Sequence, residues 1–160
     1  MLDILVVDGW EAAREAAGRC YQGRNGDVRY APDLRTFYRR LEEGPPDGIL
    51  VDPFLLPGPS ETYQPHAIVL SGPGQAMGMA AAHLARGRGF PVVVTSNVVP
   101  GEPGSWALDR AQRDGFKVTH CLVVPEEKLN GDPGNGNGFW MRAYRTLLEE
   151  MSRARGARPR

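Results

Sequence analysis

Two aspartates, each placed directly after an apolar run, are the residues of this chain best suited to chemistry. Asp8 closes the segment ILVVD, and Asp52 closes GILVD before the turn-forming stretch PFLLPG. If the two runs are neighbouring parallel strands, both carboxylates meet at one edge of the sheet, where ligands of open α/β folds bind. Two carboxylates in one pocket bind a divalent cation, share a proton or stay solvated. The alternative is that both residues only begin turns, a role that suits Asp.

Hydroxyl side chains follow two further apolar runs. Ser71 comes after AIVL, and Thr95 ends PVVVT. Either hydroxyl therefore reaches the ligand-binding edge of a predicted parallel sheet and is a candidate contact for a group held by the aspartates. The histidines, by contrast, show no spacing that builds a Ser/His/Asp arrangement or a metal site.

The pattern of apolar runs predicts the elements that position these residues. Short β-branched runs indicate strands, and the longer Ala-, Glu- and Arg-rich or amphipathic segments between them indicate helices. Strands are predicted at 2–7, 28–30, 48–51, 67–70, 91–95 and 118–124, and helices at 10–21, 34–43, 75–86, 105–114 and 139–155. This alternation predicts an α/β fold of flavodoxin-like arrangement: a three-layer α/β/α sandwich around a mainly parallel sheet of five or six strands. We expect one domain over residues 1–155 and a frayed basic tail at 156–160.

Two local expectations accompany this prediction. Asp33 has the type and position of a helix N-cap, and the helix behind it places Leu34, Phe37, Tyr38 and Leu41 on one face. The stretch 125–138 is rich in Gly, Asn and Pro and is predicted to be a long polar loop.

A glycine-containing turn provides a second candidate site. The stretch SGPGQAMG, with Gly72, Gly74 and Gly78, joins a predicted strand to a predicted helix. Glycines in such a turn let the backbone approach a ligand, and the helix that follows offers unpaired N–H groups to an anion. Met77 stands where a dinucleotide fingerprint has its third glycine, and no P-loop Gly-Lys-Ser/Thr follows. A phosphate or nucleotide cradle and a plain tight turn both remain open.

The two aspartate segments resemble the receiver domain of bacterial response regulators. ILVVD at 4–8 is similar to that family's first strand with its metal-binding acid, and PDGILVDPFLLPG at 46–58 is similar to the third strand with its Leu-Pro-Gly exit. The resemblance covers roughly the first 60 residues. It implies a Mg²⁺ site at Asp8 and Asp52, transfer of a phosphoryl group to Asp52 from a small phosphodonor, and a contact from Thr95 or Ser71. It also implies signalling through a protein partner or a homodimer, because family members pair through their last helices.

The chain also departs from the receiver pattern. Gly9 follows Asp8 where the family carries a second acid, and the predicted elements include one strand too many. Val124-Pro125 stands where the family's last strand ends in Lys-Pro, and Lys128 lies beyond it in the predicted loop. Without a fixed cation, the charge of a transferred phosphoryl group loses a stabiliser. The sequence therefore predicts an atypical receiver or pseudo-receiver, and the alternative is a phosphate- or nucleotide-binding enzyme that uses the Gly72–Gly78 loop.

Composition narrows the classes of partner. Lys plus Arg and Asp plus Glu both number 19, so the net charge is zero, which argues against general nucleic-acid or membrane-surface binding. No apolar run approaches the roughly 20 residues of a membrane-spanning helix, and the N-terminus lacks a basic leader. We expect a cytoplasmic protein in which Cys20 and Cys121 are reduced core residues.

Overall fold

The computed structural model describes residues 1–21, 26–55, 76–96, 104–120 and 134–156. Within these ranges the strands are β1 (Leu2–Val7), β2 (Gly26–Ala31), β3 (Gly48–Val51), β4 (Val92–Ser96) and β5 (Lys117–His120). The helices are α1 (Glu11–Tyr21), α2 (Leu34–Glu43), α3 (Met77–Gly87), α4 (Ser105–Arg113) and α5 (Gly134–Gly156). None of these helices is long and apolar enough to cross a membrane.

The five strands form one parallel sheet in the order β2-β1-β3-β4-β5. The chain leaves β1 toward one edge, returns past it to β3, and then continues to the other edge. This is the flavodoxin-like order, and it confirms the predicted fold class. The additional strand predicted at 67–70 lies outside the described residues.

Helices cover both faces of the sheet and bury two separate apolar layers. On one face Leu5, Val7, Ile49, Val51 and Val94 pack against α2, α3 and α4. On the other face Ile4, Val6, Leu50 and Val93 pack against α1 and α5. Consecutive residues of each strand thus serve opposite layers, as the pleat of a strand requires. Both faces of the central strands are apolar because both are covered.

The beginning of α2 confirms one local prediction and corrects another. Asp33 is the N-cap, and its Oδ1 accepts a hydrogen bond from the Thr36 backbone N–H at 2.6 Å. Leu34, Phe37 and Leu41 are buried as predicted, whereas Tyr38 is 42% exposed. Tyr38 lies at the margin of the apolar stripe, where its ring leans on that of Phe37 with centroids 5.7 Å apart and remains open to solvent.

The closing helix is longer than its sequence indicates. The helix α5 begins at Gly134, so 134–138 are helical although the sequence predicted loop there. Glycine costs about 1 kcal/mol relative to alanine in a helix, but extending a helix that tertiary packing has already formed needs no new nucleus. That packing comes from Phe139, Trp140 and Leu147, which are all buried against the sheet. Cys20 is a buried, reduced cysteine, as predicted, and Cys121 lies outside the described residues.

Arg29 on β2 ties the end of α2 to the amino edge of the sheet. Its Nε and Nη2 contact the Asp3 carboxylate at 2.9 and 2.7 Å. Its Nη1 and Nη2 donate to the carbonyl oxygens of Arg40 and Gly44, both at 3.0 Å. One planar guanidinium thus satisfies carbonyls at the helix C-terminus that have no partner inside the helix.

Replacing Arg29 by Ala should lower the free energy of unfolding by about 2 kcal/mol or more, because it removes charged hydrogen bonds from a side chain that is only 20% exposed. Arg39→Ala is the matched control, since Arg39 is 63% exposed and forms one surface ion pair. It should change the free energy of unfolding by less than about 0.5 kcal/mol. Urea denaturation measures both values, and equal losses in the two variants would contradict this role for Arg29.

Candidate acidic site at the carboxyl edge of the sheet

Asp8 and Asp52 directly follow two strands that are neighbours in the sheet. Val7 at the end of β1 pairs with Val51 at the end of β3. The Asp52 backbone N–H donates to the Val7 carbonyl at 2.8 Å, and the Asp8 N–H donates to the Ala31 carbonyl at 3.1 Å. Backbone hydrogen bonding thus continues past both strand ends and holds the two aspartates at the same level. The predicted proximity of the strands that carry them is confirmed.

Both carboxyl groups are buried and begin turns. Asp8 is 2% exposed and Asp52 is 7% exposed. Asp8 Oδ1 accepts a hydrogen bond from the Trp10 N–H at 2.8 Å, and Asp52 Oδ1 accepts one from the Phe54 N–H at 2.6 Å. Each aspartate therefore does close its strand with an Asx-type turn. This bond occupies one oxygen of each carboxyl group, and it does not explain why two acids are buried side by side.

The electrostatics of the pair favour added positive charge. Burial raises the pKa of Asp8 from 3.8 to about 7, against the opposing effects of the Trp10 N–H and the Arg14 charge. Burial also raises the pKa of Asp52 well above its usual value, and the negative charge of Asp8 raises it further. Two buried like charges cannot both stay ionised at low cost. A proton or a cation in the site therefore lowers the energy of the folded protein.

Among the described residues, Arg14 is a cation whose charge acts on Asp8. It lies on α1, is partly buried, and donates from Nη1 to the Asp8 carbonyl oxygen at 2.8 Å. Sequence reasoning missed this contact because α1 is rich in Arg and Glu, and its charges read as a solvated face. The available signal was position, since α1 follows β1 after a three-residue turn and Arg14 lies in its first turns.

Hydroxyl groups continue the row of aspartates across β4 and β5. Thr95 follows Val94, which pairs with Val51, so Thr95 is level with Asp52. Thr119 of β5 pairs with Thr95, and both threonines are buried. Sequence reasoning identified Thr95 and missed Thr119, because the pairing register of β5 is not visible in the sequence. Ser71, the other predicted hydroxyl, lies outside the described residues.

The end of the last predicted strand also lies outside the described residues. Val124, Pro125 and Lys128 are all outside the described ranges. The residue that the structure brings level with Thr95 is Thr119. Lys117 pairs with Val93, one step nearer the amino end of β4 than Val94, and is exposed. Within the described ranges, no cluster of three or more His, Cys, Asp or Glu side chains is arranged to hold a metal ion. A cation at this edge would therefore rely on Asp8 and Asp52.

Gly78 belongs to the packing beneath Asp52. Its N–H donates to the Pro53 carbonyl at 3.0 Å, and a Cβ on Gly78 would lie 1.8 Å from the Asp52 carbonyl oxygen. The first turn of α3 therefore crosses the turn after β3 with its backbone in direct contact. Gly72 and Gly74, the other glycines of the predicted anion loop, lie outside the described residues.

Solved structures of response-regulator receivers have the same fold. The receiver domain of NtrX from Brucella abortus matches with a TM-score of 0.55 at 17% identity, over 91% of this chain and 98% of that one. A response regulator receiver protein from Pseudoalteromonas atlantica matches with a TM-score of 0.57 at 12% identity, over 95% and 98%. NtrX from Brucella abortus in complex with ADP matches with a TM-score of 0.61 at 14% identity. This chain has the fold of a receiver domain.

This chain matches nearly the whole length of the isolated receiver structures, but only a smaller share of the longer proteins. This chain spans 29% of the NtrX chains that it matches over 97% and 98% of its own length. No protein-family model and no curated protein matches the sequence. At 12–17% identity the likeness concerns the receiver fold alone, so the chemistry of the acidic site rests on its own residues.

Replacing Gly78 by Ala should destabilise the protein by about 1–3 kcal/mol or more, because the new methyl group overlaps the Asp52 carbonyl and forces α3 away from the turn. Gly87→Ala is the matched control in the same helix, since a Cβ there meets nothing within 4 Å. That variant should be neutral or slightly more stable, as Ala is the better helix former. Chemical denaturation distinguishes the two, and a Gly78→Ala protein as stable as the parent would contradict the close contact.

The raised carboxyl pKa values predict that stability falls as the pH rises. Between the unfolded pKa of about 3.8 and the folded pKa of about 7, the folded state holds the Asp8 proton more tightly. The contribution of Asp8 to the free energy of unfolding therefore decreases as the pH rises through this window. The decrease is at most about 1.4 kcal/mol per pH unit for each carboxyl group. Asp52→Asn removes one charge of the pair while its Oδ1 still accepts from Phe54.

This variant should gain stability relative to the parent as the pH is raised from 5 to 8. Urea unfolding of both proteins at several pH values measures the difference, which cancels the titration of surface groups common to both. A difference independent of pH would show that the pair does not repel in the folded state.

Proposed function

We propose that the chain is a receiver-like signalling or interaction module whose acidic site binds Mg²⁺ through Asp8 and Asp52. The observation that carries this proposal is the burial of two carboxyl groups side by side, each with a raised pKa. Mg²⁺ prefers oxygen ligands and is commonly held by one or two carboxylates together with water. A divalent cation would offset the repulsion between the two groups, so the residues present fit such an ion.

We further propose that Asp52 is the residue that accepts a phosphoryl group. An ionised Oδ of Asp52 attacks the phosphorus of a small phosphodonor such as acetyl phosphate, the bond from phosphorus to the acetyl oxygen breaks, and acetate leaves. Because burial holds the Asp52 proton tightly, that proton must leave first, which metal binding favours. When bound, Mg²⁺ would supply positive charge for the phosphoryl oxygens.

Hydrogen-bond donors for the transferred group are proposed from the same row. Thr95 is level with Asp52, and Thr119 pairs with Thr95. Among the described residues, these two hydroxyls are therefore the candidates for contact with phosphoryl oxygens. Ser71 stays the alternative that the sequence offers. Arg14 contributes fixed positive charge near Asp8. This charge is proposed to serve in place of the lysine that receivers carry after their last strand.

The nucleotide-binding alternative receives less support from the described residues. It requires the Gly72–Gly78 loop to present backbone N–H groups to an anion, and the Gly78 N–H donates to the Pro53 carbonyl instead. We therefore prefer the signalling module. Its output would pass to a protein partner or to a second copy of the chain.

Incubation with Mg²⁺ and acetyl phosphate should add one phosphoryl group to the parent chain, as measured by intact mass. Asp52→Asn should add none, because the acceptor oxygen is lost. Asp114→Asn is the matched control, since Asp114 is an aspartate at the end of α4 whose carboxylate pairs with His83 and Arg110 rather than with the acidic pair. It should be modified like the parent.

Mg²⁺ binding is measured separately through the fluorescence of Trp10, which is 47% exposed and whose backbone N–H donates to Asp8 Oδ1. A Mg²⁺-dependent change without added mass would leave a cation-binding pseudo-receiver and remove the phosphorylation step. The absence of both responses would overturn the proposed function.

A further inference from the structure

A groove of about 470 Å³ lies between α3 and α4. Met79 and Ala80 line it from α3, and Trp106 lines it from α4. Phe54, which is buried, holds the Trp106 ring edge to face with centroids 5.9 Å apart. The apolar wall is therefore formed before anything binds, which lowers the entropic cost of binding.

The rim of the groove carries an excess of positive charge. Arg110 and His83 both contact the Asp114 carboxylate at 2.9 Å, so the acid on this rim is already paired. Arg113 donates from Nε to the Asp109 backbone carbonyl at 3.3 Å. No carboxylate in the described parts of the chain forms an ion pair with Arg113, and its charge faces solvent. The local excess stands out in a chain whose net charge is zero.

Asp114 is also held from below, which fixes the rim. Arg86 donates from Nη1 to the Asp114 carbonyl at 2.7 Å, and its guanidinium lies 3.8 Å from the centroid of the Phe116 ring. Phe116 is buried in the core. Arg86 thus attaches the cationic rim to α3 and to the core, and its guanidinium adds further positive charge on the α3 side.

We propose that this groove is a docking site for an acidic segment of another protein. One apolar side chain of the segment enters between Met79 and Trp106, and its carboxylates pair with Arg113 and Arg110. Ala80, Arg110 and Arg113 are exposed, so the groove opens to solvent. Small molecules bind mostly in enclosed pockets that surround them, so an open groove suits a peptide segment better. Charge complementarity selects the acidic partner. The inference does not depend on whether Asp52 accepts a phosphoryl group.

The test uses a fluorescein-labelled amphipathic peptide of leucine and glutamate and a counterpart in which lysine replaces every glutamate. Fluorescence anisotropy with the full chain should show binding of the glutamate peptide and much weaker binding of the lysine peptide. Arg113→Glu should weaken binding of the glutamate peptide by about tenfold or more, because it turns an attraction into a repulsion. Ala80→Gln should weaken it as well, since the longer side chain fills the groove without changing charge.

Arg19→Glu is the control for charge reversal, because Arg19 is an exposed arginine on α1, on the opposite face of the sheet. Its affinity for the glutamate peptide should equal that of the parent. All three substitutions are at exposed helix positions, and circular dichroism checks that each variant is folded. Equal weakening by Arg113→Glu and Arg19→Glu, an unchanged affinity in Ala80→Gln, or no binding of the glutamate peptide would each overturn the proposal.

Discussion

The pairing of β1 with β3 is the constraint on which the acidic site depends. Because Val7 and Val51 are partners in a parallel sheet, the aspartates that follow them lie next to each other at the edge of the sheet. Both side chains are buried, and burial raises both pKa values, while the negative charge of Asp8 raises that of Asp52 further. A fold built only for stability would not place two acids there, which is why the site invites a functional reading.

The surrounding elements hold this unfavourable arrangement in place. Backbone N–H groups of Trp10 and Phe54 fix one oxygen of each carboxyl group, and Arg14 offsets part of the charge at Asp8. Gly78 lets α3 cross directly beneath the Asp52 carbonyl. The two apolar layers and the Arg29 contacts provide the stability that the buried charges reduce. The acidic edge and the groove beside Trp106 are adjoining features, because Phe54 contacts both Asp52 and Trp106.

The sequence predicted most of the fold and only part of the site, for physical reasons. The strands β1 and β3 were located to the residue because short β-branched runs there end at Asp, and α2 because Asp33 is a strong N-cap. Side-chain direction and strand register depend on tertiary packing, so the contact of Arg14 and the level of Thr119 could not be read from the chain. The close approach at Gly78 likewise exists only once α3 has packed.

We propose that Asp8 and Asp52 act as one electrostatic unit that takes up a divalent cation. Isothermal titration calorimetry with Mg²⁺ at neutral pH, in buffers of different ionisation enthalpy, tests it most directly. Since both carboxyl groups have raised pKa values, binding should release protons, and Asp52→Asn should abolish both the binding and the release. Mg²⁺ binding that persists unchanged in Asp52→Asn, or that releases no protons, would show that the two carboxyl groups do not bind the ion together.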